Sequence, residues 1–125
     1  MLSVTLLPCI AKFVLLFPDN GASWADPRIP FSPSYNFVGL DFAVDSAGNI
    51  NLIWGDYDYS LDNWEIYFSR SIDSGVNWIN GVNISDSTGD AESLAIAVDS
   101  AGNIHVVFED DTSGTDDIYY TGSTK

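Results

Sequence analysis

The sequence predicts an all-β protein assembled from repeated antiparallel units, and three observations carry that prediction. The first is composition. Gln is absent, three Glu stand against fifteen Asp, and Lys and Arg number two each, so good helix formers other than Ala and Leu are scarce. Val, Ile, Tyr, Phe, Trp and Thr instead fall between clusters of Asp, Ser, Gly and Asn, which are the residues of strands and tight turns. The second is an octapeptide: Ala43-Val44-Asp45-Ser46-Ala47-Gly48-Asn49-Ile50 recurs letter for letter from Ala97 to Ile104, an offset of 54 (97 minus 43). The third is a looser pair with the same spacing, Asp73-Ser74-Gly75-Val76-Asn77-Trp78 answering Asp19-Asn20-Gly21-Ala22-Ser23-Trp24 (73 minus 19). Two different motifs with one period near fifty residues mean an array of similar units, none of which buries its apolar face alone.

In chain order, 1–36 is read as an N-terminal apolar segment with the first loop motif and a strand, 37–92 as a complete unit, and 93–125 as an incomplete second unit. Within the first segment, Phe13 to Phe17 reads as a short strand before the loop and Trp24 to Ile29 as the strand leaving it. Pro27, Pro30 and Pro33 then mark a linker, because proline is unwelcome inside a central strand. From Phe37 the pattern alternates, with Val38, Leu40, Phe42 and Val44 on one face and Gly39, Asp41, Ala43 and Asp45 on the other. Ser46-Ala47-Gly48-Asn49 is turn chemistry, and the returning strand carries Ile50, Leu52 and Trp54 on one face, as its copy carries Ile104, Val106 and Phe108. A third strand, Glu65 to Arg70, is matched by Asp117 to Gly122 at an offset of 52 (117 minus 65). A fourth is expected from Asn77 to Ile84. Lettering these strands A to D, the chain reads as a leading D, a full A-B-C-D and a trailing A-B-C.

Composition bounds the partners. Four basic against eighteen acidic side chains give a net charge of −14, so nucleic acid and anionic membrane are poor partners on electrostatic grounds. The single cysteine, Cys9, excludes an intrachain disulfide and reads as a small buried thiol. The apolar run from Leu2 to Phe17 contains Pro8 and Lys12 and is too short and interrupted for a membrane span. A secretory leader is the less favoured reading of that run: Lys12 sits inside it, no cation precedes it, and cleavage after Ala25 would remove the first loop motif.

The spacing Ser71-x-Asp73-x-Gly75-x-x-Trp78 describes a loop in which a hydroxyl and a carboxylate accept backbone N–H bonds, a glycine takes positive φ, and a Trp anchors the loop to a core. This motif is similar to the Asp box, or bacterial neuraminidase repeat, and the strands around it resemble blades of sialidase-like β-propellers, from about Phe13 to Lys125. The resemblance implies that Ser71, Asp73, Gly75 and Trp78, and in the first copy Asp19, Gly21 and Trp24, are structural and lie between the third and fourth strands of a blade. Phe17 departs from the pattern, standing where Ser or Thr is expected. The resemblance also implies an extracellular or cell-surface location and a non-catalytic binding or adhesion module, with a fragment of a sialidase-like glycoside hydrolase as the alternative. A propeller blade that stops at strand C has an open edge. The D-like segment from Trp24 is the piece it lacks, so that three copies could close a six-bladed ring as a homo-oligomer; a cut from a longer propeller is the favoured reading, and an isolated two-blade fold is the third.

Catalytic chemistry is thin. A sialidase-like site needs three arginines, and only Arg28 and Arg70 exist. Arg28-Ile29-Pro30 resembles a sialidase arginine motif, but it follows a loop motif where the family's precedes the first. His105 has no Ser or Cys partner at a suggestive spacing and reads as an ordinary strand residue. No cofactor is expected. Asp56-x-Asp58-x-Ser60 opens like a calcium loop, but Leu61 at the sixth position and Tyr67 at the twelfth exclude an EF-hand; a looser Ca²⁺ site among Asp110, Asp111 and Asp116 stays open. The binding surface expected is the B–C loop edge, where Tyr57, Tyr59 and Trp64 among Asp56, Asp58 and Asp62, with Asp110, Asp111 and Asp116 in the second unit, form the aromatic-plus-acceptor mixture that suits a carbohydrate or a protein ligand. The plainer reading is that Trp64 and Tyr59 merely cover the strand edge.

Overall fold

Among the described residues, alternating apolar residues separated by Asp- and Gly-containing turns form seven strands: β1 (Phe37–Val44), β2 (Ile50–Asp58), β3 (Asn63–Ser71), β4 (Val82–Asn83), β5 (Ala91–Val98), β6 (Ile104–Asp110) and β7 (Asp117–Ser123). The structure is a computed structural model and describes residues 23–27 and 36–123. No helix occurs among the described residues. Two antiparallel sheets result, one ordered β1-β2-β3-β4 and the other β5-β6-β7. The protein is therefore all-β, as its composition predicts. Cys9, the apolar run before it, the strand expected from Phe13 to Phe17, and Asp19, Gly21 and Arg28 lie outside the described residues.

The two identical octapeptides adopt one conformation. In each, an Asp at the end of the first strand accepts the N–H groups of the residues two and four further on: Asp45 Oδ1 from Ala47 (3.0 Å) and Asn49 (2.9 Å), Asp99 Oδ1 from Ala101 and Asn103 (both 2.9 Å). The glycine between has φ of +84° in one and +86° in the other, the left-handed region that favours a residue without Cβ. Like sequence and like local bonds give like hairpins, so β2 and β6 leave their turns with the same face forward.

β1 departs from simple alternation. Val38 pairs with Gly55 and Leu40 with Trp54, so Gly39, at φ +63°, is an extra residue in a β-bulge. The bulge turns Val38 to the face opposite Leu40, Phe42 and Val44, against the expectation that the four share a face. Val38 then lies against Gly55, where an added Cβ would meet the Val38 carbonyl oxygen at 2.8 Å. The second sheet repeats the irregularity between Glu92 and Ala95, with Ser93 at φ +49°.

The expected D strand is shorter than Asn77 to Ile84. Only Val82 and Asn83 pair with β3 as a ladder. The rest of the segment is held by separate bonds: Ile79 N–H to the Arg70 carbonyl (3.0 Å), the Ser69 hydroxyl to the Ile79 carbonyl (2.7 Å) and Ile84 N–H to the Ile66 carbonyl (2.8 Å). Gly81 explains part of the break, since its backbone passes over the Trp54 ring, which a Cβ would approach to 2.9 Å.

The sheets stack face to face. Ile53 and Ile66 from the first sheet and Ile104, Val106 and Phe108 from the second form the buried cluster, with Phe68, Ile84, Leu94, Ile96 and Val98 against it. A polar bond also crosses the seam: Asp41 Oδ2 accepts the Ile96 N–H at 3.0 Å. A fully buried isoleucine cut to alanine loses its transfer energy and leaves a cavity, so Ile53→Ala is expected to lower stability to urea by about 3 kcal/mol. Val107 sits at the same place in the second sheet but is 42% exposed, and Val107→Ala should cost less than about 1 kcal/mol. Equal losses in the two urea titrations would contradict the stacking described.

Candidate functional site

The β2–β3 loop and the linker from β4 to β5 meet at one end of the stack. Asp58 closes the loop: its carboxylate accepts the hydroxyl and N–H of Ser60, the N–H of Leu61 at 3.2 Å, and the Tyr67 hydroxyl at 2.8 Å. The Ser60 hydroxyl first, then Tyr67, hold this carboxyl down at about 2. Burial and the same bond push the Tyr67 phenol above its usual range. Asp62 follows at φ +62°, a conformation Asp tolerates better than most side chains.

Tyr57 and Trp64 are opposite one another in the β2–β3 register, which puts two aromatic side chains on one face. Their ring centres are 5.4 Å apart at 78°, and Tyr59 meets Tyr57 at 5.1 Å and 71°, both edge to face. The cluster is fixed by polar bonds. The Tyr57 hydroxyl donates to Asp62 at 2.7 Å, and that bond raises its pKa; Asn36 Nδ2 donates to the Tyr59 hydroxyl at 3.0 Å; and the Trp64 backbone N–H donates to Asp90 at 2.9 Å. Tyr59 is exposed, and Tyr57 and Trp64 are half-buried.

The acidic residues expected beside these rings separate into two groups. Asp56 and Asp110, which occupy the same place in the two sheets, are buried on the strand face opposite the rings: Asp56 takes the Trp54 indole N–H at 3.3 Å, and Asp110 takes the Thr112 N–H at 2.8 Å. Asp111 is exposed and accepts the Asp90 N–H at 2.7 Å, which ties the β6–β7 loop to the linker, while Asp116 is exposed. Among the described residues no three His, Cys, Asp or Glu side chains converge as a metal site would require, so Asp110, Asp111 and Asp116 do not form the calcium site left open by their spacing.

Of the cluster's two carboxylate partners, Asp62 was read with the rings from the sequence and Asp90 was not. Asp62 carries a local signal, since it lies in the same short turn as Tyr57. Asp90 carries none, because it reaches Trp64 across 26 residues (90 minus 64). Glu65 also escaped notice. It is fully buried, and Asn63 Nδ2, the Ser85 hydroxyl and the Ser87 N–H satisfy it without a cation.

The opposite end holds the turn motifs. In the Ser71–Trp78 loop the Ser71 hydroxyl accepts the Gly75 N–H at 2.8 Å, and Asp73 takes the Asn77 N–H at 2.8 Å and the Asn77 side chain at 2.6 Å. Gly75 has φ +83°, and the Trp78 indole N–H donates to its carbonyl at 3.0 Å. Trp78 is half-buried, so it is a partial anchor and not the deeply buried pin its spacing predicts. In the first copy only Ser23 to Pro27 are described, and Trp24 is 81% exposed.

Arg70 and His105 both serve the turn aspartates. Arg70 Nη2 pairs with Asp45 at 2.9 Å; in the second sheet Gly122 stands at the Arg70 position, and His105 Nε2 reaches Asp99 at 3.0 Å while its Nδ1 meets the Tyr120 hydroxyl at 3.0 Å. His105 thus has a structural task beyond that of an ordinary strand residue.

No family model matches the chain, and neither does any curated protein or solved structure. Among the described residues, fold and site together define a stack of antiparallel sheets without helices, carrying an aromatic cluster at one end. The Asn77 bonds hold the Asp73 carboxyl at about 2 against an ordinary 3.8. A lowered folded-state value adds stability above the unfolded pKa and loses it as pH falls through the folded one. The melting-temperature difference between the wild type and Asp73→Ala is therefore expected to be full at neutral pH and to shrink between about pH 4 and pH 2; a difference constant across that range would contradict the assignment.

Proposed function

We propose that the chain is a pair of consecutive blade-like units of an Asp-box β-propeller, acting outside the cell as a non-catalytic module that binds carbohydrate. The observation that carries the binding reading is the Tyr57, Tyr59 and Trp64 cluster. Its rings are packed edge to face, Tyr57 and Trp64 on adjacent strands and Tyr59 in the turn between them, Tyr59 is exposed, and acceptors at Asp62 and Asp90 lie beside it. Such rings stack on the C–H face of a sugar, carboxylates accept its hydroxyl protons, and a preformed cluster loses little freedom on binding. The blade reading is supported by the 54-residue period, by the bonding of the Ser71–Trp78 loop, and by that loop's place between the third and fourth strands.

The alternative, a fragment of a sialidase-like hydrolase, draws on no comparable arrangement. Arg70, one of the two arginines in the chain, is paired with Asp45 at the far end of β2 and β3 from the aromatic cluster. Its guanidinium is committed to a turn and is not presented to a substrate carboxylate.

Retention on immobilised neutral oligosaccharides tests the binding role. The double variant Tyr57→Ala, Tyr59→Ala is expected to bind about tenfold more weakly or worse, with an unchanged circular dichroism spectrum. Equal retention by the folded double variant would remove the cluster from any binding role.

A further inference from the structure

The seam inside the chain shows what covers each kind of sheet face. On the first sheet's side it is built from Ile53, Ile66 and Phe68; on the second sheet's side, from Leu94, Ile96 and Val98 of β5 with Ile104, Val106 and Phe108 of β6. Part of each half of this seam has an exposed repeat-related counterpart on the outside of the stack, whereas Ile50, Leu52 and Trp54, which answer Ile104, Val106 and Phe108, are already half-buried or buried within the chain. Subtracting 54 from 94, 96 and 98 gives Leu40, Phe42 and Val44, which are 53 to 62% exposed on β1. Adding 54 to 53, and 52 to 66 and 68, gives Val107, Ile118 and Tyr120, which are 42 to 73% exposed on β6 and β7. The molecule therefore presents the β1 counterpart of β5 on one outer face and the counterparts of Ile53, Ile66 and Phe68 on the other. Runs of large apolar side chains on one face mark an interaction surface.

We propose that copies of this chain associate head to tail, the β6–β7 face of one copy packing on the β1 face of the next as the first sheet packs on the second within a chain. A joint of this kind uses two different surfaces, so it is heterologous and propagates, closing into a ring or extending into a filament. The same relation also places the segment around Trp24. Trp78 precedes β5 by 13 residues (91 minus 78), and Trp24 precedes β1 by 13 (37 minus 24). In the first sheet the Trp78 ring lies beside Ile50, the two side chains flanking the Gly75 Cβ position at 3.9 and 3.8 Å. The corresponding place in the second sheet, beside Ile104, is a cavity of about 270 Å³ walled by Phe68, Ile79, Val82, Val106 and Thr121, and β7 is the edge strand there. An incoming copy, docked in the internal relation, brings its exposed Trp24 to this cavity.

The joint between copies is weaker than the internal seam for two stated reasons. Ala95 stands at the repeat position of Asp41 (41 plus 54), so the bond from Asp41 to the Ile96 N–H has no equivalent, and Phe42, at the repeat position of Ile96, gives its N–H to Asp41 of its own copy at 2.9 Å. Each copy also carries a charge of −14, which repels its neighbour and is screened by salt.

Sedimentation velocity over a concentration series tests the proposal. The wild type is expected to associate with rising concentration, and more strongly at raised salt. Phe42→Glu blocks the β1 face and Ile118→Glu the β6–β7 face, so each variant alone is expected to sediment as a monomer. Mixed in equal amounts, they join through their two intact faces into a species of twice the chain mass and no larger. Trp24→Ala is expected to weaken wild-type association at least tenfold without moving the melting temperature of the monomer. Circular dichroism checks that the charged variants fold; Leu40→Glu and Tyr120→Glu are the second pair if either does not. A wild type that stays monomeric at all concentrations and salts, an oligomer that survives either block, or a mixture that stays monomeric while the wild type associates overturns the proposal. It stands apart from the carbohydrate reading: association without glycan retention, or the reverse, upholds one and sinks the other.

Discussion

The contact of Ile53 and Ile66 with Ile104, Val106 and Phe108 is the constraint on which the rest of the structure depends. A three- or four-stranded sheet with one apolar face has no stable existence in water until that face is covered. Here the cover is a second sheet of the same design, and the price in symmetry is that each sheet keeps one more face than its partner can fill. The bulge at Gly39 belongs to the same constraint. By adding a residue to β1 it turns Asp41 toward the neighbouring sheet, where it takes the Ile96 N–H, and leaves Leu40 and Phe42 pointing outward.

An acid excess of this size is commonly a solvation device or a metal site. In this chain much of it is turn chemistry. Asp45, Asp58, Asp73 and Asp99 each accept two or more N–H groups of a tight turn or its side chains, and each carboxyl is held below its ordinary range. For Asp45 this happens despite partial burial, because the Asn49 and Ala47 bonds and Arg70 outweigh the loss of hydration. The anionic form is the one that folds the hairpins, so charge and local conformation are coupled at four separate turns. Glu65 shows a different solution to burial, surrounded by neutral donors from Asn63, Ser85 and Ser87, which fastens the linker between the sheets to β3.

The aromatic cluster shows how far local pattern reaches. Tyr57, Tyr59 and Trp64 were legible as a group because they sit on either side of one short hairpin, where register follows from the turn. Of the acidic residues assigned with them, Asp62 lies in the same turn and does bond Tyr57, whereas Asp56 and the second unit's Asp110, Asp111 and Asp116 were legible only as composition. Strand parity places Asp56 on the face of Trp54, and the buried indole there claims it, so it is turned away from the rings. Asp90 joins the cluster from a distant linker, and nothing in its neighbours foretells that.

What the sequence alone determined is the local and repetitive part: strands, turns, their order and their period. Each of these depends on side chains a few residues apart or on two copies of one motif, and the two octapeptides fold alike because the bonds that shape them lie within eight residues. What only the tertiary structure decided is which face is covered. Leu40, Phe42 and Val44 are as apolar as Leu94, Ile96 and Val98, yet the first three are exposed and the last three pack against a neighbour. Burial is a property of what stands opposite a residue, and no pattern within a strand encodes that.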